Sequence, residues 1–119
     1  MGRKIDIETK ESILFLKPRG PELGPEEAEK LKTLIKDNIS RGITAVVLNF
    51  STIEYMSSIF LSALMEISKD LGAAGVNLGL AQLGQKILEI LKVTKLDTIF
   101  NIFDDSYQAY IAFTKHPAR

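Results

Sequence analysis

The sequence predicts an α/β domain built on a mostly parallel central sheet of about five strands with about four helices. Three observations support this. First, apolar and partly β-branched runs alternate with stretches that have the period of a helix. Second, a nearly continuous apolar run at 43–50 indicates a strand covered on both faces. Third, turns that contain glycine or proline separate the elements. Because parallel strands need helical crossovers, the expected order is β-β-α-β-α-β-α-β-α.

The first half of the chain supplies the opening pair of strands and the first helix. Apolar residues alternate with polar ones at 5–7, and an apolar run follows at 13–16, so a strand is predicted at each. Proline and glycine are dense at 18–25, which is typical of a loop. Pro25 suits the first position of a helix, and the glutamates after it suit the positive end of the helix dipole. This helix is expected to end at Arg41.

The second half of the chain repeats the alternation of strand and helix three times. Further strands are expected at 43–50, 76–81 and 99–103, and further helices at about 58–72, 83–91 and 106–113. The helix that starts at Ser58 has the clearest period, because its apolar residues recur every three or four positions from Phe60 to Leu71. These elements complete the predicted order.

Length and composition indicate one globular domain. The whole chain, 1–119, matches a typical domain, with a core expected at about 5–113 and a frayed tail at 115–119. Lys+Arg and Asp+Glu number 15 each, and this balance argues against direct nucleic-acid binding. The opening residues do not follow a secretory leader pattern, and no apolar run suits a membrane span. We therefore expect a cytoplasmic protein.

The side chains that enzymes and metal sites need are scarce. Cysteine is absent, and the single histidine, His116, lies in the expected tail, where it is poorly placed to act beside a nucleophile. The glycines at 72, 75 and 79 imitate a phosphate loop, but they follow a predicted helix and precede a predicted strand, the reverse of what a phosphate site needs. We expect no catalytic residue, no metal and no cofactor, so the chain is predicted not to be an enzyme.

The stretch YMSSIFL, residues 55–61, lies where a predicted strand gives way to a predicted helix. The surrounding region, 42–65, contains one charged residue, Glu54. Ser57 or Ser58 is suited to cap the helix by accepting a hydrogen bond from a backbone N–H, which is worth about 1 kcal/mol. A phosphate at this point would add about −1.5 to −2 charges beside the positive end of the helix dipole. The fold would tolerate that charge, whereas a partner docked there would not.

Two longer motifs carry a resemblance to a known family. The first, VVLNFSTIEYMSSIFLSAL, covers residues 46–64, and the second, ILKVTKLDTIFNIFDDSYQAYIAF, covers 90–113. The chain resembles the STAS domain family (sulfate transporter and anti-sigma factor antagonist), most closely the bacterial anti-sigma factor antagonists, over about 5–113. In that family the first motif is a strand, Asp-Leu-Ser, a short loop, Met-Asp-Ser-Ser-Gly-Leu and a helix.

The resemblance implies a switch controlled by phosphorylation. Ser58 aligns with the serine that antagonists have phosphorylated, and Ser57 is the alternative acceptor. The implied partner is an anti-sigma factor with serine-kinase activity. The unphosphorylated antagonist binds this partner and frees the sigma factor, and phosphorylation releases the partner. The implied partner-binding residues are Asn49, Met56, Ser57, Ile59 and Phe60.

Three residues depart from the family pattern. Asn49 stands in place of an aspartate, Ser57 in place of an acidic residue and Phe60 in place of a glycine. Phe60 either belongs to the docking surface or packs in the core, and the sequence leaves both open. The alternative function is a STAS module that does not switch, and that acts as a scaffold in a signalling or transport complex or holds a small apolar ligand. A hydrolase that used Ser58 would need a base that the sequence does not supply.

Overall fold

The chain forms a central sheet with helices packed on both of its faces. The computed structural model describes the backbone of residues 5–115 and the side chains of residues 5–114, so the expected tail lies outside the described residues apart from the backbone of Lys115. The strands are β1 (Ile5–Lys10), β2 (Ile13–Pro18), β3 (Glu22–Leu23), β4 (Ala45–Asn49), β5 (Tyr55–Met56), β6 (Asn77–Ala81) and β7 (Asn101–Phe103). The helices are α1 (Pro25–Ile39), α2 (Ser58–Ala73), α3 (Gln85–Val93) and α4 (Ser106–Lys115), with a 3₁₀ turn at Leu96–Thr98.

The main sheet has five strands in the order β1-β2-β4-β6-β7. The hairpin partners β1 and β2 are antiparallel, and the remaining neighbours are parallel. Each parallel connection carries a helix, as crossovers between parallel strands require. The predicted α/β class, with about five strands and four helices, is confirmed.

Strand β4 lies at the centre of this sheet, and all five of its residues are buried. Alternate residues point to opposite faces, as in any strand. Val46 and Leu48 belong to the large core under α1, α2 and α3. Ala45 and Val47 belong to a smaller core that includes Ala109 of α4. Three helices therefore pack near one face of the sheet, and α4 packs on the other.

A small second sheet lies where the sequence predicted a loop. Strand β3 pairs in parallel with β5, with Leu23 opposite Met56, and both of these side chains are buried. The Ser57 backbone N–H extends the pairing by donating to the Leu23 carbonyl at 2.9 Å. The pairing therefore brings the start of α2 next to the start of α1.

The last strand is shorter than the predicted 99–103. Lys95 follows α3 with φ 62°, a left-handed conformation that ends the helix. The chain then makes the 3₁₀ turn, in which the Ile99 N–H donates to the Leu96 carbonyl at 3.0 Å. This turn allows both Leu96 and Phe100 to reach the core, so β7 begins only at Asn101.

Candidate functional site

The candidate site is the junction at which the chain enters α2. Ser57 precedes the helix in an extended conformation (φ −72°, ψ 161°), and its Oγ accepts a hydrogen bond from the Phe60 backbone N–H at 3.1 Å. This is the geometry of an N-cap residue, since it satisfies one of the unpaired donors of the first turn. Of the two serines considered for the cap, Ser57 therefore has this role.

Ser58 is the first residue of α2 and is exposed to solvent. Its hydroxyl makes no hydrogen bond with any residue in the described range 5–115. The first turn of α2 contains no acidic side chain, so the positive end of the helix dipole is not neutralised there. Ser58 thus offers an accessible hydroxyl at a point that favours an added negative charge.

Two large apolar side chains flank Ser58 on the surface. Ile59 is 57% exposed, and Tyr55 of β5 is 55% exposed. One and two helical turns after Ser58, Ser62 and Met65 continue the exposed face of α2. Exposed apolar residues close together on a surface are typical of a docking site for another protein.

Asn49, Met56 and Phe60 do not contribute to that surface, which corrects the docking set expected from the sequence. Met56 is 3% exposed because β5 turns it into the core beside Leu23. Phe60 is 1% exposed, and its ring meets that of Phe50 edge to face, with centroids 6.5 Å apart. The helical period of α2 places Phe60 on the buried face of the helix. Of the two roles that the sequence left open for Phe60, docking surface or core packing, the structure shows core packing.

Asn49 is buried, with 9% of its surface exposed, and ties three segments together. Its Nδ2 donates to Gln82 Oε1 at 2.8 Å and to Ser106 Oγ at 2.7 Å. Its Oδ1 accepts from the Ser51 backbone N–H at 2.9 Å. The amide therefore connects the ends of β4 and β6 and the start of α4 to the loop that leads to the serines.

Gln82 and Ser106 were not among the residues predicted for the site. One signal in the sequence could have identified them. Gln82 directly follows β6, and Ser106 lies just after β7, so both come after the carboxyl ends of parallel strands. Those ends meet at the same edge of a sheet, where polar side chains commonly assemble.

A shallow acidic cleft of about 390 Å³ lies beside Ser57, between the starts of α1 and α2. Glu22, Glu26 and Tyr55 line it together with Glu27. The Glu27 carboxylate is buried but satisfied, because it accepts from the Gly24 backbone N–H at 2.8 Å in a capping arrangement. The surroundings of the serines are therefore apolar on α2 and acidic toward α1.

Within residues 5–115, no group of three or more His, Cys, Asp or Glu side chains is placed to hold a metal ion. None of the helices in that range is both long and apolar enough to cross a bilayer. An ion pair joins helices α1 and α2. Lys32 of α1 donates to Glu66 of α2 at 2.8 Å, and this hydrogen bond holds the pKa of the Glu66 carboxyl below its usual value.

A parallel sheet whose central strand runs into a serine-capped helix is the arrangement expected from the motif at 46–64. The STAS domain family model matches residues 4–109, which is most of the chain. The chain belongs to the STAS domain family.

Relatives of this STAS domain include proteins named for sigma factor control. A candidate anti-sigma factor antagonist of Thermotoga maritima is 27% identical over 100 residues, which cover 83% of this chain and 88% of that protein. The crystal structure of an anti-sigma factor antagonist from Mycobacterium paratuberculosis has a TM-score of 0.79 at 21% identity and 93% coverage of both chains. The phosphorylated form of the Bacillus cell fate determinant SpoIIAA has a TM-score of 0.70 at 16% identity, covering 90% of this chain and 96% of that one. These structures share the fold.

Proposed function

We propose that this STAS domain is a cytoplasmic anti-sigma factor antagonist whose binding to its partner is switched off by phosphorylation of Ser58. The partner is an anti-sigma factor with serine-kinase activity, and the unphosphorylated antagonist binds it and thereby frees the sigma factor. In this role the chain is a binding protein and not a catalyst. The observation that carries the proposal is the exposed, unbonded Ser58 hydroxyl at the start of a sixteen-residue helix, flanked by exposed Ile59 and Tyr55.

The two serines differ in the hydrogen bonds that phosphorylation would break. The Ser57 Oγ is half-buried and already accepts the Phe60 N–H, so a phosphate there would remove the helix cap. A phosphate on Ser58 would leave that cap in place. It would also sit near the unpaired N–H groups of the first turn, where a dianion is stabilised. Ser58 is therefore the better acceptor, and Ser57 is the alternative.

The same phosphate would oppose a docked partner. Ile59 and Tyr55 supply apolar area that a partner would bury, and Ser58 lies between them in the chain. Burying a phosphate in such an interface without a paired cation is costly, because the charge loses its hydration. The fold would thus tolerate phosphorylation while the complex would not, which is what a release switch requires.

The departures at positions 49 and 57 are compatible with this function. Ser57 caps α2, and serine and aspartate are about equally good N-cap residues, so the local helix start is kept. Asn49 keeps its loop and strand contacts through an amide that donates twice and accepts once. Both changes lower the negative charge near Ser58 without loss of the hydrogen bonds that shape the loop.

The first experiment maps the acceptor. The protein is incubated with ATP and, in turn, each serine-kinase anti-sigma factor encoded in its genome, and phosphate is located by mass spectrometry. We expect phosphate on Ser58, its loss in Ser58→Ala, and its retention in Ser57→Ala. The proposal is wrong if no such kinase modifies either serine.

The second experiment separates charge from size. Ser58→Asp and Ser58→Asn are nearly isosteric and differ by one charge, so we expect the Asp variant to bind the partner at least about tenfold more weakly than the Asn variant. Equal affinities for the two variants would favour the alternative, a STAS module that acts as a scaffold and does not switch.

A further inference from the structure

A groove lies on the sheet face that α4 covers, away from Ser58. Helix α4 packs over β4 and β6 through Ala109 and also contacts β2, where Ile13 is buried, so only the outer part of this face, along β1, is left largely uncovered. The groove between that part and α4 has a volume of about 470 Å³. This volume is in the range of pockets that hold small molecules, about 300–1,000 Å³.

Aromatic side chains form much of this groove. Tyr107 and Tyr110 of α4 have nearly parallel rings, with 6.4 Å between centroids and 26° between planes. Phe15 of β2 also lines the groove and is half-buried. Tyr107 is 65% exposed although it is large and apolar over most of its area. The groove therefore presents planar faces to any occupant.

The charges that line the groove compensate one another. Two are acidic, Asp6 and Glu8, and two are basic, Lys10 and Lys17. The strand register places Asp6 opposite Lys17, and Asp6 also pairs with Arg19 at 2.6 Å. The Lys10 ammonium lies 4.9 Å from the centroid of the Tyr110 ring. With two acidic and two basic side chains in its lining, the groove has no strong preference for an anion or a cation.

Tyr110 is held in its protonated form by a neighbour from the β1–β2 turn. A hydrogen bond to the Glu11 carboxylate is the main reason why the pKa of the Tyr110 phenol is raised above its usual value. The Lys10 ammonium and the Tyr107 ring both lie against the Tyr110 ring, so Tyr110 forms part of the groove wall and Tyr107 offers the free ring face.

The Ser106 hydroxyl can donate a hydrogen bond to an occupant at the end of the groove near Asn49. Ser106 lines the groove, and its Oγ accepts from Asn49 Nδ2 at 2.7 Å. A hydroxyl also donates one hydrogen bond, and no acceptor for it is found among the residues that the structure describes. An occupant with a carbonyl or ring-nitrogen acceptor would satisfy it.

We propose that this groove binds a small, uncharged, planar aromatic molecule that carries a hydrogen-bond acceptor. The ring stacks on the exposed Tyr107 beside Phe15, and the acceptor receives a hydrogen bond from the Ser106 hydroxyl. Stacking and edge contacts between aromatic rings are worth more than the buried area alone, which favours an aromatic over an aliphatic ring. The site is independent of phosphorylation at Ser58, although Asn49 connects Ser106 to the loop at Ser51.

The test uses benzamide as the probe and cyclohexanecarboxamide as its matched control. Binding is detected by chemical-shift changes of the amide signals in two-dimensional NMR spectra of the ¹⁵N-labelled protein. The two probes share a six-carbon ring and an amide and differ only in aromaticity. We expect benzamide to give saturable shifts at residues around Tyr107 and at the Asn49 side-chain amide and Ser51. Cyclohexanecarboxamide should bind at least about threefold more weakly.

Variants then locate the site. Tyr107→Ala removes an exposed ring and should weaken benzamide binding about three- to tenfold, whereas Tyr107→Phe should restore it. Tyr55 is another tyrosine that is more than half exposed and it lies outside the groove, so Tyr55→Ala should leave benzamide binding unchanged. Shifts that fail to saturate, equal binding of both probes, or no effect of Tyr107→Ala would each overturn the proposal. Shifts at Tyr107 that depend on protein concentration without a probe would assign the groove to a second copy and would also overturn it.

Discussion

The neighbouring residues Phe60 and Ile59 allow stability and partner binding to be measured separately. Phe60 is 1% exposed and meets the Phe50 ring edge to face, so Phe60→Ala deletes a fully buried ring. Such deletions cost about 3–5 kcal/mol, because the transfer free energy is lost and a cavity remains. That is a large part of the roughly 5–15 kcal/mol by which a domain is stable. Ile59 is 57% exposed, so Ile59→Ala should change the free energy of unfolding by less than about 0.5 kcal/mol.

For affinity toward the partner we expect the opposite order, with substitution of Ile59 weakening binding more than substitution of Phe60. Phe60→Ala is expected to remove much of the free energy of unfolding, so Phe60→Leu is the better variant for binding measurements. It should lower the free energy of unfolding by about 1–2 kcal/mol and leave the protein folded. Urea unfolding followed by circular dichroism gives the stabilities, and calorimetry with the partner anti-sigma factor gives the affinities. Ile59→Ala should weaken binding by about tenfold, which is about 1.4 kcal/mol, while Phe60→Leu leaves it unchanged. The reasoning is refuted if Phe60→Leu weakens binding as much as Ile59→Ala does.

Three further predictions concern stability. Ser57→Ala should lower the free energy of unfolding by about 1 kcal/mol, because the N-cap is lost. Ser58→Ala should lower it by less than about 0.5 kcal/mol. Equal losses in urea unfolding would contradict the assignment of the cap to Ser57. Gly79→Ala would place a methyl group 2.9–3.0 Å from two phenylalanine rings, so a loss of about 1–3 kcal/mol is expected, and an unchanged urea midpoint would argue against this packing. The Lys32–Glu66 hydrogen bond lowers the pKa of Glu66, so its stabilising effect is present above the carboxyl's unfolded pKa and is lost as the pH falls through the folded one. The stability difference between the wild type and Lys32→Gln should therefore shrink from pH 7 to pH 3, and a constant difference would contradict this.

The order of strands and helices could be predicted from the sequence because it depends on local periodicity. The stripe that begins at Phe60 has the period of a helix with one buried face. The apolar run that became β4 has no period, but it is short and partly β-branched, which favours a strand. The start of α2 could also be placed, because serine at a strand–helix boundary satisfies the first backbone donors. The family motif then indicated Ser58 as the candidate phosphate acceptor.

Two choices at the junction needed coordinates, because each depends on a neighbour from elsewhere in the chain. Both serines suited the cap from composition alone. The hydrogen bond from the Ser57 N–H to the Leu23 carbonyl places Ser57 at the end of β5 in an extended conformation, so Ser57 is the cap. The pairing of Leu23 with Met56 buried a side chain that the motif suggested would face a partner.

By itself, the sequence determined the fold class, the position of the serines at a helix start and the absence of cysteine, because these follow from residue types and their local spacing. Only the tertiary structure decided which side chains near Ser58 are exposed and that Asn49 reaches Ser106, which lies 57 positions away in the chain. It also decided that α4 leaves part of one sheet face open. Contacts of this kind depend on how distant segments pack, and packing is a property of the whole chain that no local period contains.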